Sequence, residues 1–157
     1  MIKVVDIQDK HLEEIHSWEL DEELQVKTGI SQPRTREQFM DSYAAYFRGE
    51  KPNLYLKAIE TDGILAGKVE LFLSDENFIG IVVANKRRRG IGTEALRIFL
   101  QEIKQLKRVE SVKAEVYEDN WASLQFFMKN GFRLSQEPSW EIFRGRQRRL
   151  FTLSKEI

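Results

Sequence analysis

Two turn signals cut residues 54–83 into three β-rich runs, and the connections between them are too short for anything but antiparallel neighbours. Asp62-Gly63 separates residues 54–60 from 64–73, and Asp-Gly is among the dipeptides best suited to a tight hairpin. Ser74-Asp75-Glu76-Asn77 then leads into residues 78–83. A three-stranded meander is the expectation. At Gly90 the period changes. Ile91, Ala95, Phe99 and Ile103, flanked by Leu96 and Leu100, recur at helical spacing and stripe one face of a long amphipathic helix.

The flanks follow the same logic. Residues 2–7 form an opening strand, and Leu12, Ile15 and Trp18 stripe a first helix whose cap is Asp9. Residues 27–34 contain Gly29, Ser31 and Pro33 and are expected as a loop. Thr35 opens a second helix striped by Phe39, Tyr43 and Phe47. After the long helix, Val112, Ala114 and Val116 alternate with Lys113, Glu115 and Tyr117 as a strand. Asn120 caps a further helix that stops at Asn130-Gly131, a strand resumes at residues 132–134, and residues 140–143 and 149–153 close the chain as a hairpin with Gly145 at its tip. No repeat or linker interrupts residues 1–157, so a single α/β domain is expected.

Composition removes several chemistries. There is no cysteine, which excludes disulfides, thiolate metal sites and an acyl-cysteine intermediate. Basic and acidic side chains number 25 each, and no recognition motif accompanies the basic clusters at 86–89 and 144–149, so nucleic acid is not the expected partner and those C-terminal arginines are expected to be a solvated hairpin tip. The longest apolar run, residues 79–84, is far short of the roughly 20 residues that span a bilayer. The first residues lack the apolar stretch of a signal peptide, which makes cytoplasm the expected location and no membrane association the expectation. His11 and His16 fall on the first helix among ordinary surface residues without metal-ligand spacing, so no metal is expected.

The segment that points to a ligand is Arg87-Arg88-Arg89-Gly90-Ile91-Gly92, at the passage from strand to helix. Glycines that turn the chain sharply there leave the first helical amides free at the positive end of the helix dipole, where an anion fits. An isolated Gly-x-Gly can also be no more than a turn with solvated arginines beside it. The segment lacks the Gly-Lys-Ser/Thr of a Walker loop, and residue 95 is Ala where a dinucleotide fingerprint needs its third glycine.

With Arg87, Gly90 and Gly92 in place, the segment resembles the Arg/Gln-x-x-Gly-x-Gly/Ala signature of the GNAT family of N-acetyltransferases, which lies between that family's fourth strand and third helix. The similarity continues through Glu115-Val116-Tyr117-Glu118-Asp119-Asn120 and on to Phe127, Gly131 and Phe132, and covers roughly residues 64–134. Within the family, Gly92-Thr93-Glu94-Ala95-Leu96 looks most like the branch of ribosomal-protein, polyamine and aminoglycoside acetyltransferases. The resemblance implies an α+β fold: a mixed, mostly antiparallel twisted sheet of about six to seven strands with about four helices. It implies acetyl-coenzyme A as co-substrate, its pantetheine arm on the backbone of Gly80, Ile81 and Val82, its pyrophosphate on Arg87, Arg88, Arg89, Gly90, Ile91, Gly92 and Thr93, and further contacts from Asn120 and Phe127. Direct acetyl transfer to an amine is then expected, with the backbone amide of Val82 or Val83 facing the oxyanion and Glu115 accepting the proton through water. Where relatives carry a proton-donating tyrosine this chain has Phe127, which leaves Tyr117 or water to donate. The alternative is a noncatalytic coenzyme A-binding sensor.

The acceptor expected from the acidic residues Glu19, Asp21, Glu22, Glu23, Glu37 and Asp41 is a small cationic amine or a peptide N-terminus, and a homodimer is possible by the same likeness. Glycine at 80, inside a β-branched run, marks either a close backbone approach or simple packing.

Overall fold

The computed structural model describes residues 1–85 and 90–157. The expected loop arginines Arg87, Arg88 and Arg89 lie outside the described residues. In chain order the elements are β1 (Ile2–Asp6), α1 (Asp9–Glu19), α2 (Glu22–Thr28), α3 (Arg36–Phe47), β2 (Leu54–Thr61), β3 (Ile64–Leu73), β4 (Asn77–Val83), α4 (Ile91–Leu106), β5 (Ser111–Tyr117), α5 (Trp121–Lys129), β6 (Arg133–Leu134), β7 (Ser139–Phe143) and β8 (Arg146–Glu156).

The strands form one sheet in the order β1-β2-β3-β4-β5-β8-β6, with β7 on β8. The mixed, mostly antiparallel α/β architecture implied by the resemblance is present. β2, β3 and β4 are the meander, and Asp62 and Gly63 take the left-handed φ values of 52° and 80° that the tight hairpin requires. The described residues hold eight strands and five helices, one of each more than the upper expectation. The added helix is α2, seven residues long, capped by Asp21, whose Oδ1 accepts from the Leu24 amide at 3.0 Å, and stopped by Gly29 at φ 78°. β6 is two residues long, and β8 begins three residues before the expected strand.

Alternation along the strands builds a core on each face. On one, α4 sets Ile91, Ala95, Phe99 and Ile103 against Val69, Leu71, Val112 and Ala114, and α5 adds Leu124 and Phe127. On the other, α1 and α3 press Leu12, Ile15, Phe39 and Tyr43 onto Leu56, Ala58 and Leu65. The second core corrects the reading of the histidines: His11 and His16 are buried, because residues 11, 12, 15 and 16 share one helical face. His11 bonds Glu60 at 2.8 Å, and His16 bonds the Arg34 carbonyl at 3.1 Å.

The C-terminal arginines are only in part a solvated tip: Arg144 and Arg146 are exposed, but Arg148 is buried and Arg149 is half-buried against Glu118. Arg144 donates to Gln25 Oε1 at 2.6 Å, and Arg148, 7% exposed, donates to the Val26 carbonyl at 2.8 Å with its guanidinium 3.5 Å from the centre of the Tyr117 ring. Together they fasten the β7–β8 hairpin to α2. No helix among the described residues is long and apolar enough to cross a membrane.

Phe99 is fully enclosed and stacks on Tyr55 with centroids 5.9 Å apart. Phe99→Ala leaves a cavity under the centre of the sheet and is expected to cost about 3–5 kcal/mol, read as a lowered denaturant midpoint at unchanged m-value.

Candidate active site

β4 and β5 are parallel neighbours joined by one registered pair among the described residues, Phe78↔Lys113. Asn77 Nδ2 donates to the Ser111 carbonyl at 3.3 Å, and Lys113 pairs with Glu76 at 2.6 Å, which closes that end. Toward their carboxyl ends the strands part. β5 is meanwhile paired along its whole length to β8, so the opening strips hydrogen-bonding partners from one edge of β4. Gly80, Ile81 and Val82 belong to this stretch of β4.

The parity of the edge differs from expectation at Gly80 and Val82. A Cβ at Gly67 of β3 would overlap the Val82 carbonyl oxygen, and the Ala84 amide donates to the Ala66 carbonyl at 2.9 Å, so Val82 turns its backbone polar groups toward β3. Backbone groups alternate along an antiparallel pair, and the amides aimed at the opening are therefore those of Ile81 and Val83. What Val82 presents is its side chain. Gly80 leaves room for Glu70, whose Oε1 lies 3.0 Å from where a Cβ would stand.

The edge runs on to the amino end of α4. Gly90 is its N-cap at φ 82°, with no side-chain cap hydrogen bond among the described residues. Ile91 is buried and anchors that turn. A Cβ on Gly92 would come 3.0 Å from the Phe126 ring and 3.6 Å from Val83, so this glycine keeps the helix end close to both β4 and α5. Thr93 accepts from Asn130 Nδ2 at 3.3 Å. Asn120 caps α5 by accepting from the Ser123 amide at 3.3 Å and reaches the Lys27 carbonyl of α2 at 3.5 Å. Phe127 is placed in the core between Phe126 and Phe132 rather than on the opening; the aromatic ring against the α4 end is its neighbour Phe126. Helical geometry explains the exchange, because adjacent residues on α5 point about 100° apart.

Glu115 and Tyr117 share a face of β5, the side opposite the buried Val112, Ala114 and Val116. The Tyr117 hydroxyl donates to Glu141 at 2.8 Å, and its pKa is raised by burial and by that bond. Glu115 makes no hydrogen bond or ion pair among the described residues. Partial burial raises its pKa first, and the negative charges of Glu141 and Glu76 add to the effect. Beside β4 opens a cleft of about 460 Å³ whose walls include Trp18, Glu19, Leu24, Arg34, Glu70 and Val82. Lys68 lines it too, and with Glu70 also lines a smaller cavity of about 180 Å³ next to Tyr43. No group of three or more His, Cys, Asp or Glu residues suited to a metal occurs among the described residues.

The acetyltransferase (GNAT) domain profile matches residues 2–133. The chain belongs to the GNAT acetyltransferase family. No curated protein matches it by sequence. Solved structures share the fold across nearly the whole chain. The spermidine N-acetyltransferase of Vibrio cholerae, in complex with coenzyme A and spermine, aligns at a TM-score of 0.85 with 13% identity, over 99% of this chain and 95% of that one. The ribosomal L7/L12 alpha-N-protein acetyltransferase RimL, in complex with coenzyme A, aligns at 0.83 with 15% identity, over 99% and 94%. The microcin C7 self-immunity acetyltransferase MccE, in complex with acetyl-CoA and AMP, aligns at 0.80 with 18% identity, over 99% and 92%.

Two residues of this GNAT domain were not singled out from sequence: Lys68 and Glu70. Their signal was present, as charged residues at i and i+2 in an otherwise apolar strand, which period-2 alternation puts on one face.

A carboxyl with a raised folded pKa keeps its proton in the fold at pH values where the unfolded chain has released it. Stability is therefore lost as pH rises from the ordinary carboxylate range through the folded value. Glu115→Gln is expected to raise the melting temperature at neutral pH, and the gain is expected to vanish as pH falls below about 4, where both states are protonated. Paired thermal melts across that range measure it.

Proposed function

We propose that this chain, acting as one catalytic domain, transfers the acetyl group of acetyl-coenzyme A directly to a primary amine in a ternary complex. The observation that carries the reading is the parting of β4 from β5, which leaves a strand edge whose Val83 lies beside Gly92 of a helix amino end without a side-chain cap among the described residues. Acetyl-coenzyme A has the matching parts: an amide-bearing arm that extends the sheet by β-augmentation, and a pyrophosphate suited to free helical amides. Ile81 and Val83 offer their backbone groups to the arm. Gly90, Gly92 and Thr93 offer the helix end, with Arg87, Arg88 and Arg89 adjoining it in sequence. Gly92 fits this use because a larger residue would press Phe126 aside. The coenzyme A and acetyl-CoA bound to similar structures support the choice of donor.

Transfer requires the amine lone pair to attack the thioester carbonyl carbon, a donor for the oxygen as it becomes negative, loss of one amine proton, and departure of the sulfur with the C–S electron pair. The donor is one of the two amides that this strand parity turns outward, that of Ile81 or of Val83. Glu115 takes the amine proton through water, its raised pKa bringing it closer to neutrality and so making it a better base than an ordinary carboxylate. Spermine and ribosomal-protein N-termini, named with similar structures, support an amine acceptor, either small or peptide-borne.

Thiol release from acetyl-coenzyme A, scored across a panel of primary amines, tests the reading; absence of turnover with every amine would overturn it. Gly92→Glu, which sets a carboxylate at the α4 end, is expected to weaken coenzyme A binding by at least about tenfold in calorimetry, roughly 1.4 kcal/mol. In the wild type, kcat/KM is expected to fall as pH drops through the raised pKa of Glu115. Glu115→Gln is expected to lower the rate and to abolish that acidic limb, and a limb that persists assigns the base elsewhere.

A further inference from the structure

Most of the acidic residues of α1 and α2 are already engaged. Glu19 receives Arg34 in a two-pronged pair, with Nε at 3.0 Å from Oε1 and Nη2 on Oε2; Asp21 caps α2; Glu23 pairs with Lys27 at 3.0 Å. The cleft is therefore not an acidic basin. What it keeps unpaired is one charge of each sign. Lys68 and Glu70 sit two residues apart on the same face of β3, so their Cα atoms are about 7 Å apart. In register they lie opposite Val82 and Gly80 of β4, beside the strand edge on which acetyl transfer would occur.

Both are half-buried, both line the cleft, and neither makes a hydrogen bond or ion pair among the described residues. The charged and titratable groups that bear on Lys68 are Glu70 on its own strand, Tyr43 on α3, Glu19 on α1 and Arg34 before α3. Burial works against its ammonium, but Glu70, Tyr43 and Glu19 outweigh that cost, and the net shift is upward. Lys68 is thus a desolvated but fully charged cation, and the Glu19–Arg34 pair beside it contributes no net charge. Trp18, Leu24 and Ile30 complete an apolar wall.

We propose that the acceptor is a small amphoteric amine, an amino acid or close analogue, whose carboxylate is received by Lys68 and whose amine is drawn in by Glu70. The proposal rests on the acetyl-transfer reading above and specifies its substrate class. A cleft of about 460 Å³ suits a molecule of that size. An anionic group satisfies a cation that has no ion-pair partner among the described residues, whereas a second amine on the acceptor would meet Lys68 with like charge.

The test compares each amino acid with its own carboxamide, which keeps the amine and removes the negative charge, and with a diamine of similar length. Wild-type enzyme is expected to prefer the carboxylate over the carboxamide by about 10-fold or more in kcat/KM, the scale of a hydrogen bond to a charged group. Lys68→Met is expected to collapse that ratio toward one, chiefly through KM of the carboxylate, and Lys68→Arg to preserve it; circular dichroism checks that the variants fold. If Lys68→Met does not fold, the wild-type and Lys68→Arg ratios decide. Equal or better use of the carboxamide or the diamine by wild type overturns the proposal, as does a Lys68→Met loss that is the same for both members of a pair. Turnover without carboxylate preference sinks this inference alone. Absence of thiol release with any amine, of whatever charge, removes the acetyl-transfer reading and this inference with it.

Discussion

The structure depends on the single registered pair that joins β4 to β5. On one side of it, β1 to β4 form an antiparallel sheet whose register runs from Ile2↔Thr61 to Gly67↔Val83. On the other, β5, β8, β6 and β7 form a second, equally antiparallel. Each half is held together by its own ladders, and beyond Phe78↔Lys113 the outer edge of β4 has no strand partner among the described residues. α4 bridges beneath, its Ala95, Phe99 and Ile103 packed in one core with Val69 of the first half and Val112 of the second. Continuous apolar packing below and interrupted hydrogen bonding above is what creates an opening with a free strand edge. Because that opening is bounded by backbone, many side-chain sets can build it, which accounts for a TM-score of 0.85 at 13% identity.

The far lip of the opening is held by cations. Arg148 inserts between the Tyr117 and Phe143 rings, with its Nη1 on the Val26 carbonyl, while its Nε and Nη2 are buried with no hydrogen-bond partner among the described residues. Unpaired buried donors cost about 1–3 kcal/mol. Contact of a desolvated guanidinium with an aromatic face returns up to about 2 kcal/mol, and here there are two faces. The arrangement sets the Tyr117 ring against Gly29, where any side chain would collide with the phenol. Gly29 is thereby required twice, for its left-handed φ at the end of α2 and for the space that Tyr117 fills. The short α2 is consequently a product of tertiary contact more than of its own seven residues.

That dependence separates what was legible in the sequence from what was not. The meander, the long helix and the Asn120 cap announce themselves through local chemistry: a turn dipeptide, a stripe, a side chain that bonds an amide three residues on. α2 carries no apolar stripe, and its acidic first turn looks like surface. His11, His16 and Arg148 are residue types ordinarily exposed, and only the packing of α3 and of the β7–β8 hairpin buries them. Parity at β4 was equally hidden. Moving one residue along a strand reverses the direction of its backbone groups, so telling Val82 from Val83 requires the register of β4 with β3, which no local sequence signal reveals. At the site, glycines could be read because their function is the absence of a side chain; Lys68 and Glu70 acquire meaning only once Glu19 is seen to be engaged by Arg34.

The same geometry bears on how the departing sulfur obtains its proton in the proposed reaction. Phe127 is a core residue and has no hydroxyl. Tyr117 has one, but it is committed to Glu141, and burial together with that bond lifts its pKa above the usual value of about 10. Against the reference value of about 8.5 for a cysteine thiol, proton transfer from such a phenol to a thiolate runs uphill. The thiolate is stable enough near neutral pH to leave without a strong acid beside it, and water reaching the cleft suffices to protonate it afterward. Tyr117 then acts through position. Its hydroxyl holds the Glu141 carboxylate, whose negative charge helps raise the pKa of Glu115. Base strength at one residue of β5 is in this way tuned by a hydrogen bond made two residues further along the same face of the strand.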